Sequence, residues 1–201
     1  MSRRAELLAA ARTLFSERGY HETTVEDITR AAGVAKGTYY LYFQEKREIF
    51  LAIIGELLDS IKAVGASVAQ MPASGNPLDL LTRAEEAAER LVDLVQENGA
   101  LTRLVWRESM GMDRALEAML RDFYRETAEI EAKNIRLAQS LGLLRDCDPM
   151  LTAFAHIGMI ERVLFTMLDA PELFPDRRKA IREMMRLAYE GLRAPGAPSP
   201  F

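Results

Sequence analysis

Cysteine is almost absent. A single Cys147 in 201 residues excludes an internal disulfide framework and fits a reducing, cytoplasmic setting. Long apolar runs are missing too. No 18 consecutive residues are apolar, so neither a membrane span nor a membrane partner is expected. Nor is a secretory leader expected, because Glu6, Arg12, Glu17 and Arg18 break up any apolar stretch after Arg3 and Arg4. Histidine is scarce. His21 and His156 lie far apart and neither belongs to a Glu-x-x-His pair, so no metal-ligand cluster forms in sequence. Glycine-rich phosphate loops and nucleophile elbows are lacking as well. Catalytic residues, metal and cofactor are therefore all expected to be none, and the chain is not expected to be an enzyme.

Strand-like alternation is the next absence. No segment keeps a period of two, whereas helical periodicity is nearly continuous, which predicts an all-α fold of about nine helices. Leu7, Ala11, Leu14 and Phe15 share one face of a first helix over about 3–18, which Gly19 stops. Thr24 to Asp27 has the pattern of a capping box opening a second helix, which Gly33 ends. A short third helix follows at about 36–42. The fourth covers about 45–69, with Ile49, Phe50, Ile53, Ile54, Leu57 and Leu58 on its apolar side. After the Pro- and Gly-containing loop 71–77, further helices are expected near 78–97, 100–108, 113–140, 149–168 and 176–192. Pro195, Pro198 and Pro200 mark residues 194–201 as a disordered tail.

What is present is concentrated at one end. Net charge is −4, yet residues 1–47 carry eight basic side chains against six acidic ones, so the excess acid lies in the remainder. A basic head on an acidic body suits a chain of which one end meets phosphate. Within that head, a helix-sized segment, a glycine turn and a second short helix follow one another over about 24–43, the pattern of a helix-turn-helix. Lys36 begins the second of these helices and is suited to guanine O6 and N7 or to a phosphate. Gly37 lets a backbone come close. Thr38 offers a hydroxyl to phosphate and a methyl to thymine. Thr24 sits where a helix N-terminus presents free amides to an anion. Tyr39, Tyr40 and Tyr42 diverge by about 100° per residue, so they cannot all be core. Leu41 and Phe43 are expected to pack, and Glu26 to be solvated.

Leu14-Phe15, Gly19-Tyr20, Thr23-Thr24-Val25, Ile28, Ala31-Ala32-Gly33-Val34, Lys36-Gly37-Thr38, Tyr40, Tyr42-Phe43, Lys46 and Phe50 together resemble the tetracycline-repressor (TetR) family of bacterial transcriptional regulators. These motifs span about the first fifty residues; the rest is similar in helix number and length. Where that family often has a capping serine before the lysine, this chain has Ala35, and Glu45 stands where a small polar residue is common. The resemblance implies a three-helix DNA-binding head, residues 1–61, and a ligand-binding and dimerisation body, residues 62–193. It implies a homodimer on a palindromic operator in double-stranded DNA, usually repressing, and released when a small effector occupies the body. It also implies DNA contacts by Tyr40 and Tyr42 and a phosphate clamp at Lys46, with Tyr39 alongside them or in place of an apolar packing residue.

The body suggests two further sets. Large, adaptable apolar side chains suit a cavity wall: Leu101, Val105, Trp106, Met110, Met119 and Phe123, with Phe154 and His156 from the eighth helix. The last two helices are apolar on more than one side, as a four-helix dimer interface requires. Its expected members are Ala155, Gly158, Met159, Arg162, Val163, Phe165 and Thr166, then Ile181, Met184, Met185 and Ala188. The expected function is a dimeric, sequence-specific transcriptional regulator released by a small, largely apolar ligand. Alternatives are a DNA-binding regulator without an inducer, a helical interaction protein, or an enzyme.

Overall fold

The computed structural model describes residues 2–69, 76, 78–108 and 114–197. Among these residues the chain forms nine α-helices and one 3₁₀ turn, with no strand. The helices are α1 (Arg3–Arg18), α2 (Val25–Ala31), α3 (Lys36–Tyr40), α4 (Lys46–Val68), α5 (Leu78–Glu97), α6 (Gly99–Glu108), α7 (Arg114–Ser140), α8 (Pro149–Asp169) and α9 (Arg177–Leu192); the turn is Pro171–Leu173. Most of the loop 71–77, Met110 and residues 198–201 lie outside the described residues.

The chain divides into two compact units, residues 1–59 with 98–120, and residues 60–97 with 121–201. The first is larger than the head expected from sequence, because it takes in α6 and the start of α7. The cause is local: α6 packs on α1, and the Arg12 guanidinium donates to Asn98 Oδ1 at 2.9 Å and to Glu56 Oε2 at 3.1 Å.

Helix boundaries in the first unit have identifiable chemistry. Ser2 caps α1 by accepting from the Ala5 N–H, and Gly19, at φ +86°, closes it. Both bonds of the Thr24–Asp27 capping box are formed. Gly33, at φ +66°, makes the turn from α2 towards α3, where the Val34 N–H reaches back to the Thr29 carbonyl at 3.0 Å. Leu7, Ala11, Ile28, Tyr39, Ile49 and Ile53 are completely buried here. Phe50 sits beneath α1, its ring edge-on to Phe15 at 5.7 Å and tilted against Tyr20 at 4.6 Å.

In the second unit, Asp148 caps α8 by accepting from the Met150 and Leu151 N–H groups, each at 2.9 Å, with Pro149 at the first helical position. Asp176 caps α9 through the Lys179 N–H at 2.9 Å. Val92 and Val95 of α5, Leu164 and Met167 of α8, and Ile181 of α9 form one core cluster. Ala128, Ala132 and Ile135 of α7 pack on Ala153 of α8 as another. By length and composition α8 is apolar enough to cross a membrane, yet only part of it is buried. It is also anchored by polar contacts in this unit, where the Tyr124 hydroxyl donates to Glu161 at 2.7 Å.

The tail expected at 194–201 begins as ordered chain. The Ala194 N–H donates to the Leu143 carbonyl at 3.1 Å, the Arg145 N–H donates to the Leu192 carbonyl at 2.8 Å, and Ala197 is buried. Backbone hydrogen bonding to the 141–145 turn overrides the local bias of Pro195.

Candidate nucleic-acid interface and ligand cavity

α3 presents Lys36, Gly37 and Tyr40 outward, with Thr38 half-buried. Tyr40, Leu41 and Tyr42 follow one another at 49%, 80% and 44% exposure. Leu41, expected to pack, is therefore the most open large apolar residue of this group, because the chain leaves α3 at that position. Phe43 is buried, as expected, with the Arg4 guanidinium 5.6 Å from its ring centre.

Two expected contact residues are corrected by their surroundings. Tyr39 is 0% exposed and lies between Tyr40 and Phe43, with ring centres 5.5 and 5.7 Å away. Its hydroxyl donates to the Glu45 carbonyl at 3.1 Å, and burial pushes its pKa well above the ordinary tyrosine range. Tyr39 is thus the plug under α3 and not a surface group. Lys46 is the second. Its ammonium donates to the carbonyls of Tyr20, His21 and Thr23 at 2.7, 3.2 and 2.8 Å and lies 4.4 Å above the Tyr20 ring. Desolvation lowers its pKa, against a smaller opposing pull from Glu22. All three donors close the α1–α2 connection, so Lys46 acts as a clasp within the head and not as an open phosphate clamp.

Lys36 is exposed but not alone: its ammonium is bonded to the Glu26 carboxylate of α2. That hydrogen bond, more than the charge alone, lowers the Glu26 pKa and raises that of Lys36. The acid expected to be solvated is exposed, and it is also the partner of the candidate base-reading lysine. Thr24 is exposed with its hydroxyl engaged, donating to Asp27 Oδ2 at 2.6 Å and accepting from the Asp27 N–H at 3.1 Å. Ala35 gives α3 no side-chain cap, so that helix start leaves backbone N–H groups without a side-chain acceptor.

The second unit holds a partly open cavity of about 220 Å³ walled by α4, α5, α7, α8 and α9. Among the described residues expected to line a pocket, only His156 borders this cavity. Leu101 and Val105 are buried in the first unit with α6, which also holds the half-buried Trp106; Met119 is half-buried in that unit too. Phe123 stacks edge-on to Tyr124, and Phe154 is 48% exposed. The walls are apolar mainly through Ile61, Val64, Leu81, Leu91, Ile130 and Ile160. The polar lining was missed in the sequence. Thr127, Glu131 and Asn134 of α7 all face the cavity, and His156 Nδ1 lies 3.1 Å from Glu131 Oε1. The available signal was three polar residues at helical spacing beside Ala128, Ala132 and Ile135.

The expected dimer set splits in the same way. Ala155, Gly158 and Arg162 of α8 are exposed, in line with Leu151 at 72%. Phe165 and Thr166 are half-buried, and Val163 packs on the α5–α9 core. Ile181 and Met184 are corrected: both are buried within the protomer, Ile181 in that core and Met184 at the cavity. Met159, Met185 and Ala188 line the cavity as well. The inward side of α9 is therefore the one with the regular apolar stripe.

Residues 7–53 match the family described as bacterial regulatory proteins, tetR family. The chain is 27% identical over 166 residues to the uncharacterized HTH-type transcriptional regulator YdgC of Bacillus subtilis (strain 168), covering 82% of this chain and 80% of that protein. It is 28% identical over 168 residues to the HTH-type transcriptional regulator HbdR of Aromatoleum sp. (strain CIB), covering 81% and 71%. Among solved structures it resembles SmeT, the repressor of the Stenotrophomonas maltophilia multidrug efflux pump SmeDEF, in a complex with triclosan. The TM-score is 0.81 at 21% identity, over 100% of this chain and 99% of that one.

Proposed function

We propose that this chain, whose residues 7–53 match the tetR family of bacterial regulatory proteins, is a cytoplasmic homodimeric repressor of a palindromic operator, released by a small, largely apolar ligand. The observation that carries the reading is α3, a short helix behind a positive-φ glycine turn, with Lys36, Gly37 and Tyr40 on its open side. Lys36 recognises a base edge or a phosphate. Gly37 permits close approach, and the Tyr40 and Tyr42 hydroxyls bond phosphates.

The dimer is supported by the exposed side of α8, where Leu151, Phe154, Ala155 and Gly158 lie open at helical spacing. Two copies joined there carry two recognition helices; half-sites one DNA turn apart need a separation of roughly 34–36 Å. Ligand release is supported by the cavity, and SmeT, a protein of similar fold, is known in a complex with triclosan. α4 starts at Lys46 and supplies Ile61, Val64 and Val68 to the cavity wall. A ligand that moves those last turns biases the helix that also carries Ile49 and Phe50. By linkage, operator DNA must weaken ligand binding by the factor by which ligand weakens operator binding.

The test is a gel shift of the protein on DNA upstream of its own gene, at stated salt, with Lys36→Ala and Tyr40→Phe alongside. Specific retention by the wild type that falls in both variants supports the reading. Equal retention of a scrambled duplex, or wild-type retention by Lys36→Ala, counts against it.

A further inference from the structure

The cavity lining of the second unit carries two buried polar atoms without a hydrogen-bond partner, Asn134 Oδ1 and the Thr127 hydroxyl oxygen. Asn134 is 7% exposed. Its Nδ2 donates to the Gly65 carbonyl of α4 at 3.2 Å and to Glu131 Oε2 at 3.4 Å. Both neighbours are acceptors, which fixes the amide: the nitrogen must face them and the oxygen must face away. Oδ1 is then buried without a partner, and the hydroxyl oxygen of Thr127 is in the same condition. Thr127, Glu131 and Asn134 stand at spacings of four and three on α7 and all line the cavity. They make a polar stripe about 10 Å long in a wall otherwise built mainly from Ile, Leu, Val, Ala and Met, with Lys62, His156 and Tyr189 also on it.

The stripe asks for donors. Asn134 Oδ1 only accepts, and both Glu131 oxygens are acceptors already facing Asn134 and His156. The lysine on the wall, Lys62, is held by Glu126 at 2.7 Å. A carboxylate ligand could accept from the Thr127 hydroxyl, but it would be set against the Glu131 carboxylate and the Asn134 Oδ1 acceptor. A hydroxyl or N–H would meet what it needs, and an unmet buried acceptor is the more expensive state. Size bounds the rest: a cavity of roughly 150 Å³ admits benzene, so about 220 Å³ suits a two-ring molecule.

Resting on the reading of this cavity as the effector site, we infer that the effector is a compact apolar molecule with one hydrogen-bond-donating head, a phenol or alcohol, which donates to Asn134 Oδ1 beside Thr127, and that carboxylates are excluded.

The experiment titrates full-length protein with three matched probes, 2-naphthol, naphthalene and 2-naphthoate, followed by fluorescence. In the wild type, naphthol binds about tenfold tighter than naphthalene, and naphthoate no tighter than naphthalene. In Asn134→Leu the naphthol-to-naphthalene ratio falls to within about twofold, and Thr127→Val narrows it part way. Circular dichroism reports whether each variant is folded. Should Asn134→Leu not fold, the Thr127→Val ratio decides, and no narrowing there overturns the inference. Naphthoate binding tighter than naphthol overturns it. So do equal naphthol and naphthalene affinities, which mean that bound water satisfies Oδ1. If none of the three probes binds, the cavity is not an effector site and that earlier reading fails with it. Naphthalene binding without a naphthol preference removes only the donor assignment.

Discussion

Lys46 Nζ lies 4.4 Å above the ring of Tyr20 and donates to the Tyr20 carbonyl at 2.7 Å. With the His21 and Thr23 carbonyls it ties the first turn of α4 to the loop that positions α2. Charged donors to half-buried carbonyls are among the stronger hydrogen bonds, so Lys46→Met should destabilise the protein by about 2 kcal/mol. Urea unfolding measures this. The salt slope of DNA binding separates a clasp from a phosphate contact. A clasp leaves the slope of the remaining folded protein unchanged, whereas a lost phosphate contact lowers it by about one.

On the proposed reading of α3, Glu26 competes with DNA for Lys36. The pair is solvent-exposed on both sides, so its contribution to stability is negligible, but it holds the ammonium against α2. Glu26→Gln should therefore leave unfolding unchanged while tightening binding to any duplex several-fold at low salt, an effect that fades as salt rises. Lys36→Met should weaken binding in either background. Fluorescence anisotropy on operator and scrambled duplexes checks both, and unchanged affinity in Glu26→Gln would show that the contact does not mask the lysine.

The first unit was more legible than the second, for physical reasons. In the head each boundary is made by local chemistry: Gly19 and Gly33 adopt positive φ, and Thr24 and Asp27 cap each other across one turn. Such signals survive in a linear sequence. Sequence leaves Tyr39 open between contact and packing and points Lys46 at phosphate, because their partners, the Glu45 carbonyl and the carbonyls of 20, 21 and 23, are backbone groups that residue types do not reveal. In the second unit helix positions followed from periodicity, but the side facing the cavity did not. Met184 and Met185 suit a dimer face, a core or a cavity wall equally well, and tertiary packing alone decides among them. Thr127, Glu131 and Asn134 carried the better signal, since polar residues at helical spacing next to an alanine stripe call for an explanation that apolar residues do not.

Tyr39 gives the head an alkaline limit. Its folded pKa is raised above the unfolded value of about 10 by burial, with nearby Tyr40 and Glu48 adding to the shift. For such a group the stability is fully present below the unfolded pKa. It is lost as pH rises from there towards the folded value, because the unfolded chain loses its proton first. Thermal unfolding followed at the head should therefore show a falling midpoint above about pH 10. Tyr39→Phe keeps the ring against Phe43 and removes both the titration and the bond to the Glu45 carbonyl. It should cost about 1 kcal/mol at neutral pH and flatten that alkaline limb. A limb of unaltered steepness in Tyr39→Phe would assign it to other groups, Tyr124 among them, whose pKa burial also raises.

The α8 and α9 faces separate association from folding. On α8, Leu151, Ala155, Gly158 and Arg162 fall at spacings of four, three and four, one exposed stripe with Phe154 beside it. In the proposed dimer a carboxylate placed there meets its symmetry mate across the two-fold axis, so Leu151→Glu with Phe154→Glu should give folded monomers in sedimentation velocity while α8 keeps its helical signal. Ile181 on α9 predicts the reverse. It is buried against Val92, Val95, Leu164 and Met167, so Ile181→Ala should lower stability by about 3 kcal/mol and leave the association of the folded fraction intact. If Ile181→Ala dissociated a still-stable protein, or the α8 double variant sedimented as the wild type does, the interface would lie elsewhere than on the α8 stripe. Operator binding should follow the α8 double variant downward, since two half-sites bound independently forgo the local-concentration advantage of a joined pair.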